Sequence, residues 1–214
     1  MSSHDRGWLA GDVLDIAPRL LGRVVRHAGV AIRLSEVEAY CGPDDPGSHA
    51  FRGPTPRSQI MFGQAGHAYV YFSYGMHHCL NVVCGPPGTA AALLLRAGEV
   101  VEGEAAARSR RDRGRQRPHA FVDLARGPAR LTSALGVDLQ HNGADVCDPA
   151  GDLVLDGHEQ LEGRSVSTGA RVGVSGAGGD GSAYPWRFWI TGDPTVSAYR
   201  AAKSRRAVPP SAAR

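Results

Sequence analysis

Between Ala68 and Cys84 the chain reads AYVYFSYGMHHCLNVVC, two runs of aromatic and β-branched residues separated by Gly75 and Met76. Such residues suit a pleated, half-buried surface, and a glycine between two such runs marks a chain reversal. The pattern predicts strands over Ala68 to Tyr74 and Cys79 to Cys84, joined as a hairpin. No other feature limits the fold as much, because a hairpin pairs its own two strands antiparallel and permits a mainly antiparallel sheet around them. Period-two alternation sets Tyr69 and Tyr71 on one face of the first strand and Val70, Phe72 and Tyr74 on the other, with Tyr74 at the tip.

Other segments extend that sheet. Val30 to Tyr40 alternates, which places Ile32, Leu34, Glu36, Glu38 and Tyr40 on one side and Arg33, Ser35, Val37 and Ala39 on the other. Ala90 to Arg96 reads as a third apolar strand ending in an arginine, and Trp186 to Thr191 as a closing strand. Trp8 to Leu21 contains Pro18 and reads as a short helix followed by a turn. Glu99 to Arg111 has good helix formers and leads into Arg108, Arg110, Arg111, Arg113, Arg115 and Arg117. Gly127 and Pro128 precede a helix over Ala129 to Leu135, with proline in a favoured first-turn position. Cys41 to Gln59 is dense in Gly, Pro, Asp and Ser, a loop of a length that usually signals function. Gly143 to Gly181 is rich in Gly and Asp with short apolar runs, and no internal repeat is present.

Composition narrows the function classes. With 214 residues, 42% of them hydrophobic, one ordinary core is expected over residues 1–200, followed by a disordered basic tail over 201–214. No run approaches the roughly 20 apolar residues of a membrane span, and the opening MSSHDRGWLAGDV lacks a signal core. A cytoplasmic protein, nucleoid-associated in a bacterium, is the expectation. Cys41, Cys79, Cys84 and Cys147 form no CxxC pair and have no histidine at finger-like spacing, so reduced, packed thiols are expected rather than a zinc or redox site. Adjacent His77 and His78 would point to opposite strand faces, which disfavours a metal chelate. A net charge of +3 is too small to prove a polyanionic partner. Of 24 basic residues only Lys203 is a lysine. That imbalance reads as nucleotide bias in the genome, yet it leaves no lysine before the tail to act as a Schiff-base nucleophile.

Ser35 to Asn81 gathers carboxylates, histidines and four tyrosines on elements joined by the long loop and the hairpin. Glu38 on an inward strand face could act as a general base with Arg96 as its partner. A buried structural Glu–Arg pair has the same signature, and spacing does not separate the two. Tyr74 at the hairpin tip could be a wedge that enters a base stack or an ordinary core aromatic; for Tyr69 the core reading stands. The arginine cluster could follow a phosphate backbone or be a solvated helix end. Gly127 and Pro128 could present N–H groups to a phosphate or simply start a helix.

The runs SEVEAY, GPDDPGSHAFRGPTPRSQIMF and AYVYFSYGMHHCLNVV closely resemble the alkyladenine (3-methyladenine) DNA glycosylases. The likeness continues in order through LLLRAGEVVEG, LARGPARL, ARVGV and RFWITGDPTVS. It implies an α+β single domain with a curved, mainly antiparallel sheet, flanking helices and a protruding β-hairpin. It also implies a base-excision-repair enzyme that flips an alkylated or deaminated purine out of double-stranded DNA and hydrolyses its N-glycosidic bond with a glutamate-activated water. Carried over by residue, Glu38 would activate the water, with Arg96 and the backbone carbonyl of Val172 holding it. Tyr40, His49 and Tyr71 would line the base pocket, Asn81 would exclude the wrong purine, and Tyr74 would intercalate. Arg57, Met61 and Gly127 are candidates for DNA contact. No metal or organic cofactor is implied, the expected form is a monomer, and without a body lysine no lyase step is expected. Two departures from the family pattern stand out: Ser58 after TPR, where Asn is expected, and His77-His78 after YGM. The rival readings are a catalytically silent module that binds distorted DNA or RNA, and a hydrolase of free nucleosides. The first would need none of Glu38, Arg96 and Asn81, and the second would have no use for a wedge.

Overall fold

The computed structural model describes residues 6–73, 75–156 and 163–202, and among them three α-helices and eight strands form an α+β fold. Tyr74 and the segment 203–214, with Lys203, lie outside the described residues. In chain order the elements are α1 (Val13–Leu20), β1 (Val24–His27), β2 (Val30–Tyr40), β3 (Ala68–Ser73), β4 (His77–Val83), β5 (Ala92–Glu102), α2 (Glu104–Arg111), α3 (Pro128–Leu135), β6 (Leu153–Asp156), β7 (Val166–Gly169) and β8 (Arg187–Ile190). Every strand pair is antiparallel, in the order β3-β4-β5-β2-β1-β6, with β8 also on β2 and β7 on β8. The predicted hairpin is β3–β4, with Ser73 opposite His77.

One edge of β2 has two partners. Its first half pairs with β1, through Val24 opposite Arg33, and its second half with β8, through Glu36 opposite Trp189. Between them the register with β5 is irregular on both sides of Glu36. The irregularity corrects the uniform alternation expected for Val30 to Tyr40. Ile32 and Leu34 enter the main core, and so do Val37 and Ala39, although they stand at the opposite parity. A strand that loses one step of its pleat turns every later side chain to the other face. Glu36, Glu38 and Tyr40 therefore do not share the face of Ile32 and Leu34.

Beyond that break the alternation is regular and divides two worlds. Val37, Ala39, Ala68, Val70, Leu80, Val82, Leu93 and Leu95 join the core under the helices. Their sequence neighbours Glu38, Tyr40, Tyr69, Tyr71, Cys79, Asn81, Leu94 and Arg96 face a pocket on the other side. The core face is covered by Val13, Ile16, Ala17 and Leu20 of α1 and Leu131, Ala134 and Leu135 of α3. α1 is the short helix expected before a turn, and it runs through Pro18. Asp12 caps it by accepting from the Leu14 N–H at 2.7 Å, and its four buried residues offset the bond that proline removes.

Two further expectations need correction. β5 continues six residues past Arg96, so that arginine lies mid-strand, and the helix expected from Glu99 begins at Glu104. Glu99–Glu102 is held in the sheet by its register with Ala31 to Arg33, where local helix propensity yields to tertiary pairing. The arginine cluster divides. Arg110 caps the end of α3 by donating to the Ala134 and Leu135 carbonyls, each at 2.8 Å, and Arg111 donates to the Leu124 carbonyl at 3.0 Å. Arg108 pairs with Glu104, whereas Arg113, Arg115 and Arg117 are exposed. The four cysteines are free thiols. No described helix is long and apolar enough to cross a membrane.

Candidate active site

Glu38 is fully buried near the end of β2, and three donors converge on its carboxylate. The Val172 N–H donates to Oε1 at 2.6 Å, the Tyr40 hydroxyl donates to Oε2 at 2.9 Å, and Arg96 Nη1 lies 3.2 Å from Oε2. Three contacts donated to one group are the pattern an ionised carboxylate takes. Burial, and then the charge of Glu38, push Tyr40 well above the ordinary phenol range, so Tyr40 remains a donor.

Arg96 reaches Glu38 because a second buried carboxylate holds it. Glu36 accepts from Arg96 Nε at 2.9 Å, from Arg187 Nε at 2.6 Å and from the Ser197 N–H at 2.7 Å. Ser197 Oγ also accepts from Arg96 Nη2 at 3.2 Å. Two carboxylates thus face two guanidiniums, and such buried charges persist only when each is paired. Burial pulls Arg96 down, but Glu38 and Glu36 more than reverse this and leave it raised, hence permanently charged. Sequence reasoning missed Glu36, Arg187 and Ser197. The available signal was Glu36 itself, at the same parity as Glu38 and in need of a cation of its own.

A second clamp sets the position of Val172. Arg171 is fully buried and makes a fork to Asp45 at 2.5 and 2.6 Å, with further bonds to the Ala39 and Gly178 carbonyls, both 2.8 Å. Its guanidinium stands 4.5 Å from the ring centre of Tyr40 and 5.3 Å from that of Trp186. Burial lowers Arg171, and the hydrogen bonds and charge of Asp45 raise it by more. The two loops meet so closely that a Cβ on Gly178 would stand 2.3 Å from the Gly47 nitrogen. The loop after Cys41 is thereby tied to the loop that carries Val172.

Around Glu38 lies a cavity of about 600 Å³, within the range of small-molecule sites. His49, Tyr69, Tyr71, Cys79 and Asn81 form one wall. His49 and Tyr71 meet edge to face at 4.7 Å, and His49 Nδ1 shares a 2.9 Å hydrogen bond with the Tyr69 hydroxyl. Desolvation, with Arg57 adding, lowers His49 to about 4, so its imidazole is neutral near pH 7. Burial raises Tyr71 and Cys79, keeping both protonated. Asn81 Nδ2 donates to the Tyr69 carbonyl at 2.9 Å, which fixes the amide against the cavity. Arg57 stacks over Tyr71 at 4.7 Å, so this ring face already accepts a cation. Ser58 is buried, and its hydroxyl closes the preceding turn through the Thr55 N–H at 3.0 Å.

The structure brings Glu38, Arg96, Val172, Tyr40, His49, Tyr71, Asn81, Arg57 and Met61 around one cavity. Val172 meets Glu38 through its N–H rather than its carbonyl. Met61 is 2% exposed and packs with Tyr69 and Ala92 in the cavity wall. Gly127 caps α3 with φ at 130°, and its own N–H is bonded to the Ala125 carbonyl at 3.1 Å. No group of three or more metal-ligating side chains occurs among the described residues.

Residues 7–194 match the family model of methylpurine-DNA glycosylase. The chain belongs to the methylpurine-DNA glycosylase family. Its relatives include a protein of Streptomyces avermitilis, 52% identical over 206 residues that span 94% of this chain and 93% of the relative. A Leifsonia xyli protein is 53% identical across 87% of this chain and 88% of its own length, and one from Frankia casuarinae is 48% identical across 88% and 89%. All three carry the name "Putative 3-methyladenine DNA glycosylase". As a methylpurine-DNA glycosylase family member the chain is a DNA glycosylase, a hydrolase of N-glycosyl bonds that acts in DNA repair.

Proposed function

We propose that this glycosylase flips an alkylated or deaminated purine, 3-methyladenine among them, into the cavity and hydrolyses its N-glycosidic bond with a water activated by Glu38. The observation that carries this reading is a fully buried carboxylate with three donors at the base of an aromatic cavity. Glu38 takes a proton from water, the oxygen attacks the sugar C1′, and the bonding pair of the glycosidic bond leaves with the purine. For an N3- or N7-methylated purine that pair neutralises a positive charge, which makes the base a good leaving group. Tyr71, His49 and Tyr40 stack on and border the base. A neutral His49 adds no repulsion toward a cationic lesion, and cation–π attraction contributes up to about 2 kcal/mol when desolvated. Asn81, held by Tyr69, opposes the exocyclic amine of guanine and so selects by penalty on the wrong base. Arg96 fixes Glu38 and the water beside it.

Release of free base from duplexes carrying 3-methyladenine, 7-methylguanine, hypoxanthine or etheno-adenine tests the reading. Wild type is expected to excise at least one; no excision from any of them refutes it. Tyr74, the wedge in this account, is tested by Tyr74→Ala. The variant should lose preference for lesion over undamaged duplex while melting like wild type, because filling a vacated stack offsets part of the few kcal/mol spent on flipping. A variant that melts far lower yet keeps its lesion preference would make Tyr74 a core residue.

A further inference from the structure

A second concavity, of about 360 Å³, is lined by sequence neighbours of residues that line the base cavity. Phe72 and Ser73 of the hairpin line the first cavity, and Met76, His77 and His78 of the same hairpin line the second. In α3 the same division falls between consecutive residues, Pro128 on one side and Ala129 on the other. Arg110 and Arg113 line it too, with Ser133, Gly136 and Val137, and no acidic residue does among the described residues.

The basic side chains there are of two kinds. Arg110 is fixed, its guanidinium spent on the Ala134, Leu135 and Ala28 carbonyls, so it supplies a field rather than a ligand contact. The side chains of Arg113 and His77 are exposed, and neither makes a hydrogen bond or ion pair among the described residues. Asp138, the acid beside His78, is already satisfied by the Gln140 N–H at 2.9 Å and by His141 at 3.0 Å. Two guanidiniums, Arg110 and Arg113, at one cleft make a positive field that favours an anion seated there. A base held in the first cavity brings its own strand to the rim, and that strand carries a phosphate about every 3.4 Å along the helix axis.

We propose that this cleft is a backbone subsite that takes a phosphate of the strand flanking the flipped nucleotide, between Arg113 and His77 and within the field of Arg110. The choice of strand rests on the base-flipping reading; the phosphate site itself does not. It gives a function to His77-His78 and to part of the arginine cluster, neither of which the base cavity uses.

The test is equilibrium binding of a short undamaged duplex across a salt series, with wild type, Arg113→Ala, Arg113→Ala with His77→Ala, and Arg115→Ala. Arg115 is an exposed arginine of the same loop that does not line the cleft, so it controls for loss of one charge. Arg113→Ala is expected to weaken binding about 3- to 10-fold near 0.1 M salt and to lower the salt slope by about 1. Adding His77→Ala weakens binding further, and Arg115→Ala changes neither quantity. Equal losses for Arg113→Ala and Arg115→Ala, or no loss for Arg113→Ala, would overturn the site, and a double variant no weaker than the single would remove His77 from it. Thermal melts of the free proteins confirm that these surface changes leave the fold intact. Undamaged duplex has no base to release, so failure here is distinct from failure of the glycosylase mechanism.

Discussion

Glu38 is useful because its neighbours are immobile, and Glu36 is what immobilises the most important of them. Glu36→Gln keeps the shape but removes the charge that holds Arg96 and Arg187. Misplacement of about 1 Å at a reacting group can slow a reaction by about 100-fold. Single-turnover excision by Glu36→Gln should therefore fall by about 10- to 100-fold while lesion-duplex affinity stays near wild type. An unchanged rate would remove Glu36 from the positioning of Arg96. His49 supplies a separate residue-scale check. Its folded value, about 4, lies below the ordinary imidazole value of about 6.5. A group depressed in this way stabilises the fold above the unfolded value, and that contribution is lost as pH falls from about 6.5 toward 4. Histidine ring signals followed by NMR, with His49→Gln for assignment, should show His49 titrating near 4. A midpoint near 6.5 would mean that the imidazole is solvated and not part of the cavity wall.

At the scale of elements, two loops with little regular structure are made rigid by one buried ion pair. Asp45→Ala leaves Arg171 as an uncompensated buried charge, and breaking such a pair costs about 3–5 kcal/mol. Urea unfolding should show a loss of this size, together with slower excision, because the Val172 N–H is no longer held on Glu38. A loss below about 1 kcal/mol would mean that the fork is not rigid in solution. The elements differ in how far they could be read from the chain. The β3–β4 hairpin, β8 and the start of α3 were legible because their signals are local: alternation, a glycine reversal, a proline in a first turn. The phase break at Glu36 was not, because it follows from β1 and β8 sharing one edge of β2, and β8 lies about 150 residues away in sequence. Glu99–Glu102 looked helical for the same reason, its strand state coming from pairing with β2. Within the site, Glu38, Arg96 and the tyrosines were legible by type and parity. Arg187, Ser197 and the Asp45–Arg171 fork were not, since each partner lies more than 100 residues from the group it holds.

Over the whole molecule the sheet separates two tasks, with helices and core on one face and the base cavity on the other. The last contact of the described chain that bears on the site is the Arg200 carbonyl, which accepts from the Gly173 N–H at 2.9 Å. No lysine lines the base cavity among the described residues, so borohydride should trap no covalent DNA complex and product strands should stay uncut until alkali is added. A trapped complex would contradict hydrolysis as the sole chemistry. The central claim is that the buried carboxylate activates water, and single-turnover excision by Glu38→Gln tests it most directly. A general base contributes about 100- to 10,000-fold, so the rate should fall at least about 100-fold while lesion-duplex affinity is retained. Near wild-type excision by that variant would contradict the account.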